Sequence, residues 1–233
     1  MAQRDYRILT GSAGWKHSLW GNEVFYPEDL PTDWYLSFYA NEFPIVLVPN
    51  KDWFQSSTCD DLVSEIDDQA TENFKCVFEC RWQANKLIER TQRLEPISDV
   101  ATTLLLQITS ADIAQSQLAK DIESLKDNFH LCLELLDIAS ENEFTKVKLF
   151  CEKHNVSLCW DGVGETIVPE SSSVWLARCN SDQDNKQIMQ QLKVIIAEQY
   201  KNETSTREHI IIIDGAPPKI DVVRNAMVMM ELM

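Results

Sequence analysis

A chain of 233 residues with 21 Lys and Arg against 37 Asp and Glu carries a formal charge of −16, so its overall field repels phosphate backbones and anionic headgroups. Nucleic acid is a disfavoured partner on that ground, and no run of about 18 uncharged apolar residues offers a membrane span. Residues 1–6 lack an apolar signal-peptide core, and the seven cysteines contain no Cys-x-x-Cys pair, so a cytoplasmic protein with reduced, buried thiols is expected.

No Pro/Gly/Ser-rich linker, low-complexity tract or solenoid-type repeat divides the chain, and residues 1–233 read as one domain. The first apolar run, 8–11, enters a turn at Gly11 and Gly14, where backbone must pass close to a neighbour. The loop that follows, to residue 31, carries Trp15, Trp20, Phe25 and Tyr26, too many aromatics for a solvated segment, and packing into a small core is the simplest use for them. Next come a helix over 34–42, a strand over 45–50, a helix over 61–70 and a strand over 75–81. On this third strand Phe74, Cys76, Phe78 and Cys80 share one face, and Lys75, Val77, Glu79 and Arg81 the other.

Strands over 103–108, 131–136, 157–161, 174–179 and 210–214 then alternate with helices over 84–90, 113–128, 143–154, 188–200 and 221–231; only the 161–174 link is too short and polar for a helix. Ser140 with Glu143 fits a capping box, Thr109 with Asp112 a looser version, and Pro217-Pro218 suits a first helical turn. The methionine-rich end, 227–233, suits packing of the last helix on the core, with docking on another chain as the alternative. Asn155 and Asn202 match glycosylation patterns, which without a secretory signal carry no weight.

Eight strand-then-helix units in this length predict an α/β fold, a single (β/α)8 TIM-type barrel. Helices would cover the Cys76 face of the third strand, leaving Glu79 and Arg81 inside, at the C-terminal mouth where βα loops assemble sites. The first loop would sit over the same mouth.

Gly11-Ser12-Ala13-Gly14-Trp15, Trp20, Phe25-Tyr26-Pro27 and the helix from Trp34 to Phe43 resemble the YecE-like family, the domain of unknown function 72, over the first 54 residues. Leu104-Leu105-Leu106-Gln107, Cys132-Leu133-Glu134, residues 156–161 and 174–178, and Asn225-Ala226 follow in the family's order. The resemblance implies a TIM barrel along the whole chain and supplies no settled activity.

The chain departs from the family pattern at its polar positions. Leu47 or Val48 replaces the carboxylate of a Val-Glu-x-Asn pattern, with Asn50 keeping the amide; Glu79 replaces a lysine, and Ala84 and Asn85 a Thr-His pair. Glu134-Leu135-Leu136-Asp137 keeps the acid of Glu-x-Arg-His alone, Arg178 survives before Asn180 in place of a histidine, Thr109-Ser110 replaces Pro-Pro, and Asp214-Gly215 replaces an asparagine pair. Two unit charges about 4 Å apart interact by roughly 4 kcal/mol at an effective dielectric near 20, so reversing one sign turns an attraction of that size into a repulsion. Any family activity is therefore expected to be altered or lost.

Glu79, Glu134, Asp161 and Asp214 fall at or near strand ends and are the catalytic candidates; convergent carboxylates there could divide acid and base roles or hold a divalent metal. A neutralising pair of Glu79 with Arg81 or Arg178 is the simpler alternative. Trp15, Asn50, Arg81 and Arg178 are the ligand-binding candidates. No metal ligand or cofactor is assigned, because of His17, His130, His154 and His209 only the first falls near the mouth, and a solvent-exposed loop role suits it better. Cys159 and Cys179 have no histidine beside them and read as buried thiols, while Lys86, Arg90 and Arg93 are scattered among acids. Three functions fit: a barrel binding a small polar molecule, an inactive member working through protein contacts, and, least favoured, a metal-dependent hydrolase or nuclease. The sequence says nothing of oligomeric state.

Overall fold

The computed structural model describes residues 8–21, 23–54, 59–84, 86–137, 140–201 and 207–231. Alternating inward and outward residues build eight parallel strands: β1 (Ile8–Ala13), β2 (Ile45–Val48), β3 (Lys75–Arg81), β4 (Thr103–Ile108), β5 (His130–Leu135), β6 (Ser157–Leu158), β7 (Val174–Asn180) and β8 (Glu208–Asp214). Between and after them lie α1 (Tyr35–Glu42), α2 (Asn50–Trp53), α3 (Cys59–Gln69), α4 (Leu87–Gln92), α5 (Ser116–Leu125), α6 (Glu141–His154), α7 (Asn185–Lys201) and α8 (Ile220–Glu231). The sheet runs β6-β5-β4-β3-β2-β1-β8-β7. Its two edges meet through Trp160, whose N–H donates to the Leu176 carbonyl (3.2 Å) and whose carbonyl accepts from the Arg178 N–H (2.9 Å). The result is the expected (β/α)8 barrel.

Side-chain alternation divides the core into two layers. Leu9, Ile45, Leu47, Val77, Leu105, Cys132, Leu176 and Ile212 pack inside the barrel. Cys76, Phe78, Cys80, Trp175, Ile211 and Ile213 point outward, into the larger cluster shared with the helices. Leu47, rather than Val48, is thus the inward residue of β2. At the strand starts Lys75 and Glu208 form an ion pair, so the interior begins and ends in charge.

Several boundaries differ from the sequence reading, each for a local reason. β2 stops at Val48, and Asn50, placed on a strand by the apolar run, opens α2 after Pro49. β6 keeps two residues, because the chain turns at Gly162 and Gly164, both at positive φ, and forms no helix before β7. The helices expected over 84–90 and 113–128 shrink to α4 and α5, the latter preceded by a 3-10 turn at Asp112–Ala114. His209 lies within β8 rather than before it. The Ser140–Glu143 capping box forms, and Thr109 donates to Asp112 from both its N–H (2.7 Å) and its hydroxyl (2.8 Å). The two prolines lie before α8, not in its first turn. Residues 1–6, Asn85, Asn202, Leu232 and Met233 lie outside the described residues; Met227 and Met229 pack against the core.

The first loop builds its own aromatic core at the barrel rim. Trp20 stacks on Tyr39 (6.3 Å between ring centroids), Tyr26 on Tyr35 (3.9 Å), and the Trp20 indole N–H donates to the Pro218 carbonyl, 3.0 Å away, ahead of α8. Trp15, Trp20, Tyr26 and Trp53 are all buried. The Tyr39 hydroxyl joins β1 to β2, accepting from the Ser12 N–H (2.8 Å) and donating to the Ile45 carbonyl (3.1 Å).

Strand β1 can lie this close to β2 because Gly11 has no side chain: a Cβ there would fall 1.8 Å from the Ile45 carbonyl oxygen. Gly11→Ala must displace backbone, and its expected cost exceeds about 4 kcal/mol, measured as a lost or strongly lowered urea midpoint.

His209, on β8, is fully buried against Trp175, and burial above all, with Arg207 nearby, lowers its pKa to about 4. Below its unfolded value near 6.5 the unfolded chain binds a proton that the folded chain refuses, so stability falls with falling pH between about 6.5 and 4. The loss approaches about 3 kcal/mol, and His209→Gln removes this component from the pH dependence of urea unfolding.

Candidate functional site

The alternation that keeps Val77, Leu105, Cys132, Leu176 and Ile212 inside brings Glu79, Gln107, Glu134, Arg178 and Asp214 into the barrel at its C-terminal end. Arg178 is the centre of this layer. Its Nε and Nη2 donate to the two oxygens of Asp214 (2.6 and 3.0 Å), and its Nη1 reaches Glu134 Oε1 (2.7 Å) and Glu79 Oε1 (2.9 Å). Gln107 Nε2 donates to Glu134 Oε2 (2.8 Å), and the Asn50 N–H to Glu79 Oε2 (3.1 Å). The Asn50 side-chain oxygen accepts from the Arg81 N–H (3.1 Å), and the Trp53 indole N–H, from α2, donates to the Glu79 carbonyl (2.7 Å).

Three carboxylates therefore surround one guanidinium, all four groups at least three-quarters buried. Burial, the largest influence, raises the Glu134 pKa, and the charge of Glu79 adds to it, while Arg178 and Gln107 act in the opposite direction. Burial also opposes the charge on Arg178, but its bonds to Asp214 and the charges of Glu134 and Asp214 outweigh this and keep it protonated. Both pKa values rise, which favours the charged form of Arg178, with its several anions, and the neutral form of Glu134, which must share one cation.

Glu134 and Arg178 also form one wall of a cleft of about 580 Å³, completed by Phe144, Cys159, Trp160, Asp161 and the 163–167 turn. Of the four candidate carboxylates the structure brings three, Glu79, Glu134 and Asp214, onto one guanidinium. Asp161 stands at the cleft rim, exposed, and its Oδ1 accepts from the Val163 N–H (3.0 Å), which ties it to its own turn. Cys159 lines the cleft with its thiol pushed well above its ordinary value by burial. Among the described residues no group of three or more His, Cys, Asp and Glu side chains is arranged to hold a metal ion.

Trp15 faces a different cavity, of about 370 Å³, with His17, Lys51, Asp52 and Glu65. Gly14, at φ 76°, takes the chain off β1, and the Trp15 indole N–H points to Glu65 of α3 (3.4 Å). His17 is half-buried and bonded to the Ala13 carbonyl (2.9 Å), a loop fastening rather than a free side chain. Arg81 lies half-buried on the inward face of β3, with Asp137 in its field. Sequence reasoning missed Gln107, although its place two residues after the inward Leu105 is the same signal that marked Glu79. It also missed that Lys51, Lys86, Arg90 and Arg93 converge on one cleft.

Removing Arg178 would leave its three carboxylates facing one another. Arg178→Gln is expected to cost about 3–5 kcal/mol at pH 7 in urea unfolding, and the deficit shrinks towards pH 4, where protonation relieves the repulsion.

No protein-family model matches the sequence, and no curated protein does. Among solved structures, a DUF72 family protein from Thermotoga maritima is 13% identical, with a TM-score of 0.66 over 97% of this chain and 99% of the other. A dihydropteroate synthase from Coxiella burnetii in complex with pteroic acid is 10% identical over 90% and 89% of the two chains, with a TM-score of 0.44. A CitE protein from Mycobacterium tuberculosis is 11% identical over 81% and 74%, with a TM-score of 0.37. Along nearly its whole length this chain has the fold of a DUF72 family protein, the family that its glycine-tryptophan turn and early aromatics resemble.

Proposed function

We propose that the protein is a divergent YecE-like, DUF72-family barrel of the cytoplasm that binds a small polar molecule at its C-terminal mouth. The observation that carries this reading is the double use of Glu134 and Arg178, which belong both to the charged layer and to the wall of the cleft. A cleft of about 580 Å³ lies within the usual range for small-molecule sites, and its Phe144 and Trp160 supply apolar surface beside the polar groups. Glu134, hydrogen-bonded and raised in pKa, is the residue best placed to exchange a proton with a bound molecule.

A second reading is supported by the saturation of Arg178: a guanidinium held by three carboxylates has little left for an anionic ligand, as in a family member that has lost its activity and works through protein contacts. A metal-dependent hydrolase or nuclease has the least support, given the acidic surface and the donor set at the mouth. No described helix is long and apolar enough to cross a membrane.

The test is ligand-observed NMR with a panel of polar metabolites. A member of the panel should bind the wild type and bind Glu134→Gln at least about tenfold more weakly, a loss of roughly 1.4 kcal/mol. Binding that ignores both Glu134→Gln and Asp161→Asn would remove the mouth from consideration, and no binding by any member would favour the protein-contact reading.

A further inference from the structure

Outside the mouth, cationic side chains gather in a cleft of about 1140 Å³ between α2 and α4. In a chain of net charge −16, this cleft is lined by Lys51, Lys86, Arg90 and Arg93, with Glu89 as the only carboxylate among its described lining residues. The pairing of β2 with β3 brings the four together: Lys51 follows β2, and the other three follow β3. At physiological ionic strength charges more than about 8 Å away are largely screened, so the local cations, rather than the distant acids, set the potential here.

Arg90 gives the cleft its specificity. Its guanidinium lies over the Phe54 ring, with Cζ 3.4 Å from the centroid, and its Nη1 donates to the Phe54 carbonyl (2.9 Å). Both partners are neutral, so the side chain is held in place without a carboxylate bonded to it among the described residues, unlike Arg178. Arg93 is held by Asp60 (3.0 Å), whose side chain is largely exposed, while Lys51 and Lys86 are exposed and can swing onto a ligand. A preorganised planar guanidinium flanked by two mobile ammonium groups matches the geometry of a phosphoryl group, with the fork donating two hydrogen bonds and the lysines adding point charge.

We propose that the α2–α4 cleft is a second binding site, separate from the mouth, that takes a small phosphorylated molecule with Arg90 as its anchor. Trp53 and Phe54, which line the same cleft, supply an apolar wall beside the phosphoryl position.

The test is isothermal titration of the full chain with inorganic phosphate and with phenyl phosphate at constant ionic strength. Saturable one-to-one binding of either is expected; tighter binding of phenyl phosphate would identify an ester ligand, equal affinities phosphate itself. Arg90→Gln should weaken binding at least tenfold and Arg90→Lys by an intermediate factor, since charge is kept and the planar fork lost. Lys120→Gln, which changes net charge equally on an exposed face of α5, should leave it unchanged. Absence of saturable binding, equal binding by Arg90→Gln and wild type, or an equal loss in Lys120→Gln would overturn the proposal. If Arg90→Gln fails to fold, the exposed double variant Lys51→Gln/Lys86→Gln decides: tenfold weakening supports the site and unchanged affinity overturns it.

Discussion

Arg178 and its three carboxylates are the constraint on which the upper half of the barrel depends. One guanidinium on β7 links strand ends that are not neighbours, Glu79 on β3 and Glu134 on β5, as well as Asp214 on the adjacent β8. Desolvation makes such a cluster a weak source of net stability, since well-packed apolar residues can often replace it. Its consequence here is geometric. A one-residue slip of β7 would turn Arg178 to the outer face and Cys179 inward, leaving three acids facing each other, so the charge set admits one register. The hydrophobic layers below, from Leu9 to Ile212, supply the bulk of the burial without discriminating as sharply between registers.

The molecule therefore holds two kinds of arginine. Arg178 is surrounded by acids and leaves the mouth with an excess of negative charge; Arg90 is held by an aromatic ring and a carbonyl, both neutral. The net charge of the chain predicts neither environment. It bounds the long-range field, while affinity at each cleft depends on which groups the fold sets within a few ångströms.

Much of the architecture is legible in the sequence, because the period-two pattern of β3 already separates Cys76 and Phe78 from Val77 and Glu79, and the short apolar runs of β4, β7 and β8, spaced by helical segments, mark buried strands. What is not legible is set by loops. Asp161 follows a strand, as its three fellow candidates end theirs, but a bond to the Val163 N–H turns it to the rim. Trp15 belongs to the motif that most clearly marks the family resemblance, yet the positive φ of Gly14 sends it to α3 instead of the mouth. Lys51 and Arg90 are far apart in the chain and neighbours only through strand pairing, so a search for basic stripes passes over them.

The closure of the barrel has its own consequence. Every neighbouring strand pair but one shares a ladder, whereas β6 and β7 meet through the single bridge at Trp160, next to the cleft formed by Glu134, Cys159 and Arg178. Sub-global opening proceeds from the least cooperative part of a structure, so this seam is where the closed cylinder is expected to open first, with the Trp160 and Arg178 amides exchanging earlier than those of β1 and β8. A molecule seated in the cleft and touching both β5 and β7 would act as a clamp across that seam. A ligand bound there would favour closure of the cylinder, and closure would favour its binding, by the same free energy.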